Sequence, residues 1–567
     1  METRTKKVWL INFALGFAGK IQYKKVIKAS KDCKKASMTT LRGILEYAKD
    51  TEWGKQHNFA EILSASTDEE LVARYQKNVP VTDYEVIRPL IERHKNGEEN
   101  ILFPGKPMMY ATTSGTTDQP KWIPITHEYY QNIYNKMSKV WLYNFMKKKP
   151  HCFEGKTVSI VGKAIEGAAP DGTVYGSVSG VTRRDIPKFI QPINSAPDAV
   201  FEIEDYTARY YAIMRIGIEQ DVTIIVTANP STIVEMQNNV KEFFDDYIDD
   251  IEHGTLSSKI NIPQDIRDRI TVDFAPNPKR AAELRALKEK YGNNVLPKHF
   301  WPNMQILNTW KCGNTYVYLD KFKDSFPADM MHMEFSYFAS ECRAGLVLDE
   351  SDATVLFPHY HYFEFVAVED LDKATPKFLQ LHELEDGKQY SVYVTTWSGL
   401  YRYPMNDLLK VNGFFGTIPK VQLMQKINGI ISITGEKVHE RQFIEACHQA
   451  EKGTGIKTQF FVGFADIQSS LYHFYYEFED VDLPQEKVDE FTKAVDESLK
   501  NLNMEYKAKR DSFRLKEPIG HALGKNAFDA FKAKSIAAGL GREGQFKMNL
   551  LLQDEKRHGM FKELVRQ

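Results

Sequence analysis

The run Asp221-Val-Thr-Ile-Ile-Val-Thr227 carries no charge after its first residue and is bounded by Gln220-Asp221 and Pro230. It reads as a buried strand. Just beyond it, Pro230 and Thr232 open a helix in which Ile233, Met236, Val240, Phe243, Tyr247 and Ile251 recur at steps of three and four, on one face. Thr232 with Glu235 three residues later has the capping-box pattern, and Gly254 can close the helix. Helical and strand-like segments alternate in this way through the first two-thirds of the chain, which predicts an α/β fold.

The last 140 or so residues read differently. A strand-like Ile430–Thr434 precedes a helix over about 439–451, two strand-like runs at 460–464 and 471–478, a helix carrying Val488, Phe491, Val495, Leu499 and Leu502, and another over 528–537. This is a small α+β domain. With 567 residues, too many for one core, the chain divides near Gln425–Gly429 into a large domain, 1–427, and a small one, 428–567.

Charge excludes some functions. The 74 basic and 76 acidic residues nearly cancel, which argues against a protein whose main business is wrapping nucleic acid or lying on an anionic membrane. Cys33, Cys152, Cys312, Cys342 and Cys447 are scattered, with no CxxC pair and no zinc framework, as expected of reduced thiols in the cytoplasm. Lys6-Lys7, the apolar stretch Val8 to Gly19 and the basic stretch to Lys28 read as an amphipathic helix packed on the body rather than a cleaved signal. No apolar run reaches the ~20 residues needed to span a bilayer.

Three segments carry chemistry. In Tyr110-Ala-Thr-Thr-Ser-Gly-Thr-Thr-Asp-Gln-Pro-Lys121, hydroxyls and backbone N–H groups can surround a polyphosphate while a lysine supplies a point charge; the spacing is not that of a Walker A loop. In Phe335-Ser-Tyr-Phe-Ala-Ser-Glu341 a ring can stack on adenine, a hydroxyl reach an α-phosphate and a carboxylate hold Mg²⁺. In Gly399-Leu-Tyr-Arg-Tyr-Pro-Met-Asn-Asp-Leu408, just past the strand-like Tyr390–Thr396, Asp407 can accept hydrogen bonds from both ribose hydroxyls or serve as a turn residue beside Pro404 and Asn406. Singly, each is also readable as a polar loop, a buried tyrosine beside a surface acid, and a turn.

Their order resembles the adenylate-forming superfamily, with its TSGTTGxPK-like, YGxTE-like and YRTGD-like motifs. More closely, the chain resembles the auxin-responsive acyl acid–amido synthetases, the Gretchen Hagen family. Thr51-Glu-Trp-Gly-Lys55, Val79-Pro-Val-Thr-Asp-Tyr84, Phe300-Trp-Pro-Asn303, Tyr362-Phe-Glu-Phe365, Gly399-Leu-Tyr-Arg-Tyr403 and Gly544-Gln-Phe-Lys547 extend the likeness over most of the chain.

The resemblance implies a ligase that uses ATP and Mg²⁺ to turn an acyl acid into an acyl-adenylate, then passes the acyl group to an amino acid. It implies that Ser114, Gly115, Thr116 and Thr117 hold the phosphates, with Lys121 supporting the loop. Tyr337 lies against adenine, Ser340 near the α-phosphate, Glu341 at Mg²⁺ and Asp407 at the ribose. Lys547 swings in from the small domain during one half-reaction, and Asn428 lies at the hinge. No nucleic acid, membrane span or obligate protein partner is implied.

Some positions depart from the family pattern: Pro404 and Asn406 in the third motif, Phe338 beside Tyr337, Asp118 in the loop, Asn549 and Leu550 near the end. Asn tolerates φ > 0, so the turn at Asn406 can survive. Elsewhere, His359 and His361 are placed on one face of a strand with no further metal ligand nearby. Met330–Met333 reads as core or pocket lining, Lys147–Lys149 as a solvated loop, and Gly180–Arg184 as either a surface turn or a neighbour of an anionic substrate. Two other functions stand beside the amide-forming one: an acyl-CoA ligase with the same first step, and a non-catalytic adenylate- or acyl-binding scaffold.

Overall fold

Four short strands build a parallel sheet whose most apolar member, Val222–Val226, is buried along nearly its whole length, as the inner strand of a layered α/β sheet must be. They are β3 (Lys156–Ser159), β6 (Val222–Val226), β7 (Ile306–Thr309) and β8 (Met331–Glu334), paired in that order and parallel throughout. Ile224, Ile306 and Met331 lie in register across the last three. The computed structural model describes residues 2–113, 121–188, 190–312, 319–371, 373–426, 430, 431, 433, 436, 438–511, 515–538, 540 and 548–566.

The helix after β6 runs Ser231–His253 and ends on Gly254, whose φ of 70° is the left-handed cap that glycine adopts without strain. Ile233, Met236, Val240, Tyr247 and Ile251 are buried as the periodicity requires. Two details differ from the sequence reading. The N-cap is Pro230, with no side-chain cap bond, so Thr232 lies inside the helix and no Thr232–Glu235 box caps it. Phe243 leaves helical geometry (φ −112°, ψ 16°) and is half-buried against the core, where its ring meets Tyr211, while Phe244 beside it is fully buried.

Among the described residues three other sheets and a two-stranded ribbon accompany this one. β1 (Met109–Thr113), β2 (Lys121–Ile125), β4 (Gly167–Ala168) and β5 (Val174–Gly176) are ordered β2-β1-β5-β4. A seven-stranded sheet holds β9 (Gly345–Leu346), β10 (Thr354–Leu356), β11 (Tyr362–Ala367), β12 (Leu379–Gln380), β13 (Gln389–Thr395), β14 (Tyr403–Phe415) and β15 (Ile418–Lys426) in the order β12-β11-β13-β14-β15-β10-β9. After the small ribbon of β16 (Ile430–Ile431) and β17 (Val438–His439) comes the sheet β20-β19-β18-β21, from β18 (Thr458–Asp466), β19 (Leu471–Phe478), β20 (Ile519–Ala522) and β21 (Leu551–Leu552).

This last sheet explains the change of pattern near residue 430. Along β18 and β19 successive side chains alternate faces. Phe461 and Phe474 meet Phe443 of the helix Glu440–Thr454, while Phe460 and Tyr475 meet Phe561 of the helix Glu555–Lys562. Val488, Phe491, Val495 and Leu499 bury the inner stripe of Gln485–Leu502. Both faces of the hairpin are therefore covered by helices.

The chain forms two compact units: Met1–Thr112 with Trp122–Met405 and Leu409–Leu423, and Thr113–Lys121 with Asn406–Leu408 and Met424–Gln567. At the amino end, the helix Glu2–Ala29 packs on Asn135–Lys148; Gly19 lies so close to Tyr143 that a Cβ would come 2.3 Å from that residue's Cβ. A helix packed on the body is thus observed at the amino end, although large apolar side chains stand on its solvent face as well as its inner one.

Candidate functional site

Strand β8 ends at Glu334, and the second motif begins at its carboxyl end, where open α/β sheets place their ligands. Glu334 shapes the turn beyond the strand. One carboxylate oxygen accepts the Ser336 N–H at 3.2 Å and the other the Lys311 N–H at 2.5 Å. Ser336 takes a left-handed φ of 82°, and its surroundings hold it there: its Oγ accepts the Val347 N–H at 2.9 Å and its carbonyl accepts the Trp310 indole N–H at 3.1 Å. Tyr337 donates its N–H to Thr354 Oγ1 at 3.0 Å.

From there the chain folds back on itself. Phe338 and Arg343 pair as an antiparallel bridge, and the Ala339 N–H donates to the Cys342 carbonyl at 3.0 Å. The tip of this hairpin is Ser340-Glu341, both half-buried, while Tyr337 is buried in the main core. Glu341 makes no hydrogen bond or ion pair among the described residues. The Tyr403 phenol is pushed up first by burial and then by the Glu341 charge, so the hairpin tip and the start of β14 are neighbours. A carboxylate without a protein cation, on the rim of a strand end, fits an ion that completes its shell with water and phosphate oxygens, as Mg²⁺ does.

Arg343 is a buried cation of this region. Its guanidinium lies 4.3 Å from the Phe338 ring centroid and 4.8 Å from that of Tyr134, and it donates to Ser138 Oγ at 2.5 Å and to the Tyr134 carbonyl at 3.3 Å. It is buried, and no carboxylate among the described residues pairs with it. Burial pushes Glu334 up to about 7, the desolvation of its charged form outweighing the two backbone N–H bonds.

The third motif is anchored by Arg402. Its Nε donates to Glu364 at 2.9 Å, and one terminal nitrogen donates to the carbonyls of Gln76 and Val79 at 3.1 and 2.9 Å. Both partners of the ion pair are buried. The reversal expected at Pro404 and Asn406 lies earlier: the Thr396 N–H reaches the Leu400 carbonyl at 2.8 Å, Gly399 has φ 83°, and Pro404, Asn406 and Asp407 lie within β14. Asn406 keeps a left-handed φ of 54° inside that strand. Asp407 is buried, and Lys121 opens β2; both belong to the second unit, whereas Tyr337, Ser340 and Glu341 belong to the first. Ser114, Gly115, Thr116, Thr117, Asn428 and Lys547 lie outside the described residues.

Other expectations are corrected. His359 and His361 sit in the turn before β11, not on a strand, and burial pushes both imidazoles down to about 3. Gly180–Arg184 is part of the helix Val178–Arg184, where buried Arg183 pairs with Asp198 at 2.9 Å, so it is no surface turn. Lys147 and Lys148 form the last turn of a helix rather than a loop. Met330 and His332 do line a cavity, of about 480 Å³, with Phe322, Phe326 and Leu319. Glu334, Glu364 and Arg343 were not singled out from the sequence. Glu334 had a usable signal, an acid closing an apolar strand at the edge of a motif.

Family models match nearly the whole chain: the GH3 family N-terminal domain over residues 22–331, its central domain over 354–426 and its C-terminal domain over 441–556. The chain belongs to the GH3 family. Similar curated proteins include the jasmonoyl–L-amino acid synthetase JAR4 of Nicotiana attenuata, 25% identical over 75% of this GH3 chain and 74% of the relative. The 4-substituted benzoates–glutamate ligase GH3.12 of Arabidopsis thaliana is 24% identical over 73% of the chain and 76% of the relative. Among solved structures, a GH3.15 acyl acid amido synthetase in complex with 2,4-DB superposes with a TM-score of 0.81 at 22% identity, over 97% of this chain and 96% of that one. A 2-hydroxyisobutyryl-CoA ligase gives 0.52 at 12% identity, over 94% and 92%. The fold is that of adenylate-forming enzymes, and this GH3 protein is an enzyme of the ligase class. No helix of the described residues is long and apolar enough to cross a membrane.

Proposed function

We propose that this GH3 protein activates an acyl acid with ATP and conjugates it to an amino acid. In the first step a carboxylate oxygen of the acid attacks the α-phosphorus, the bond to the β-phosphate oxygen breaks, and acyl-AMP and pyrophosphate form. In the second, the amino acid's neutral amine attacks the acyl carbon, the bond to the AMP oxygen breaks, and the nitrogen's proton leaves to solvent. What carries the reading is the family match along the chain, joined to the hairpin that presents Ser340 and Glu341 at the end of β8.

The residue roles are those the family resemblance implies, and charge accounts for the ones on the phosphate side. The acid and ATP are both anionic, so the phosphate side needs positive groups and N–H donors aimed at the developing charge. Ser114, Gly115, Thr116 and Thr117 supply hydroxyls and N–H groups there, with Lys121 beside them and Lys547 added from the small domain. Tyr337 faces adenine, Ser340 the α-phosphate, and Asp407 the ribose hydroxyls. Glu341 would hold Mg²⁺, which when bound neutralises the phosphate oxygens as pyrophosphate departs. The large domain, 1–427, and the small one, 428–567, move about Asn428 between half-reactions.

Pyrophosphate exchange into ATP, run with a panel of acyl acids, tests the first step. Exchange with at least one acid is expected; nucleotide binding with no exchange for any acid favours a scaffold. Product mass tests the second: an amide is expected, and a CoA thioester would move the protein to the acyl-CoA ligases.

A further inference from the structure

The helix Glu2–Ala29 has an inner face that packs on Asn135–Lys148 and an outer one that meets solvent. On the outer face Phe13 and Phe17 are each 62% exposed and Ile21 is 44% exposed. Their spacing of four residues puts them within an arc of about 80°. The two rings are stacked with centroids 6.4 Å apart. Among the described residues no other helix carries more than one exposed large apolar side chain. Isolated exposed apolar groups are ordinary, but a ridge of three is not.

Charge sharpens the point. The exposed lysines Lys20, Lys24 and Lys28 fall in or beside the same arc. From Thr3 to Lys31 the sequence has eight basic residues and no aspartate or glutamate, although acidic residues outnumber basic ones in the whole chain. Lys147 of the neighbouring helix adds another cation at this edge, its Nζ 5.0 Å from the Tyr23 ring centroid.

We infer that this face docks the protein on an anionic lipid surface, with Phe13, Phe17 and Ile21 entering the headgroup region and Lys20, Lys24 and Lys28 pairing with lipid phosphates. Apolar groups on one side of a helix, flanked by lysines, are what a bilayer interface accepts, and anionic lipid adds attraction for each nearby cation. A second copy is a poor occupant, because two such strips would bring like charges together. A convex ridge also needs no shaped groove when the partner is a bilayer. The near-neutral net charge hides this segregation, since it averages a basic edge with an acidic remainder.

The test is sedimentation of the full chain with phosphatidylcholine vesicles, with or without about a fifth phosphatidylserine. Binding at least ~10-fold tighter to the anionic vesicles is expected, weakening as salt rises from roughly 0.1 to 0.5 M. Phe13→Ser/Phe17→Ser and Lys20→Glu/Lys24→Glu/Lys28→Glu should each abolish it while leaving the thermal midpoint and the pyrophosphate exchange unchanged. Equal binding to both vesicle types, no binding to either, or undiminished binding by either variant overturns the inference. So does a wild-type dimer that the phenylalanine variant converts to monomer, because a second copy would then cover the ridge.

Discussion

The Arg343 guanidinium lies over the Phe338 ring, 4.3 Å from its centroid, across the bridge that closes the Ser340–Glu341 hairpin. Phe338 departs from the YGxTE-like pattern that the second motif resembles, and its ring receives a buried cation that has no acid among the described residues. The pair should be energetically coupled. In a double-mutant cycle of Phe338→Ala and Arg343→Met, urea unfolding should give a coupling of about 1–2 kcal/mol. Additive losses would mean that the two side chains act separately.

Glu364 and Arg402 form a buried ion pair that ties the third motif to β11 and to the chain at Gln76–Val79. Removing one partner strands the other's charge. Glu364→Ala should cost about 3–5 kcal/mol of unfolding free energy, while Glu364→Gln, which keeps an acceptor for Arg402, should cost less. Denaturant midpoints of the two variants check this ordering.

Glu334 should give stability a distinctive pH dependence. Burial raises its carboxyl from an ordinary 4.5 to about 7, so the folded state holds the proton more tightly than the unfolded chain does. Its contribution is therefore greatest below about pH 4.5 and is lost as the pH rises to about 7, an amount of about 3 kcal/mol. Unfolding free energy measured across this window should fall less steeply in Glu334→Gln than in the wild type.

Glu341→Ala should lower Mg²⁺-dependent pyrophosphate exchange about 100-fold with little change in stability, because the side chain is half-buried and orphans no partner among the described residues. Exchange within a few-fold of normal would remove Glu341 from the metal role.

Asn428→Pro should cut overall turnover while leaving ATP affinity nearly intact, since a fixed φ stiffens a hinge without touching the nucleotide. Turnover and affinity falling together would place the hinge elsewhere.

Local periodicity and motif order made much of this protein legible in advance. The strand at 222–226, the helix closed by Gly254, the β18–β19 hairpin and its flanking helix Gln485–Leu502 are all written in short-range patterns, because burial on a strand or helix repeats with a period of two or 3.6. The three motifs announced the family because their residue types stand close together in sequence. The misreadings lie where distant contacts intervene. Pro404 and Asn406 signalled a turn, yet they lie within β14, directly after Arg402 with its bonds to Glu364, Gln76 and Val79. Phe243 does pack against the core, but half-buried at a kink that its spacing did not signal, with Phe244 buried beside it.

The sequence by itself determined the layered α/β class, the positions of the motifs and the family, since each is written in neighbouring residues. Only the tertiary structure decided that Glu334 shapes the turn at Ser336, that Arg343 lies over Phe338, and that Glu341 has no cation partner among the described residues. Such pairings depend on which strand ends and helix faces come within a few ångströms, and residues up to hundreds of positions apart settle that together.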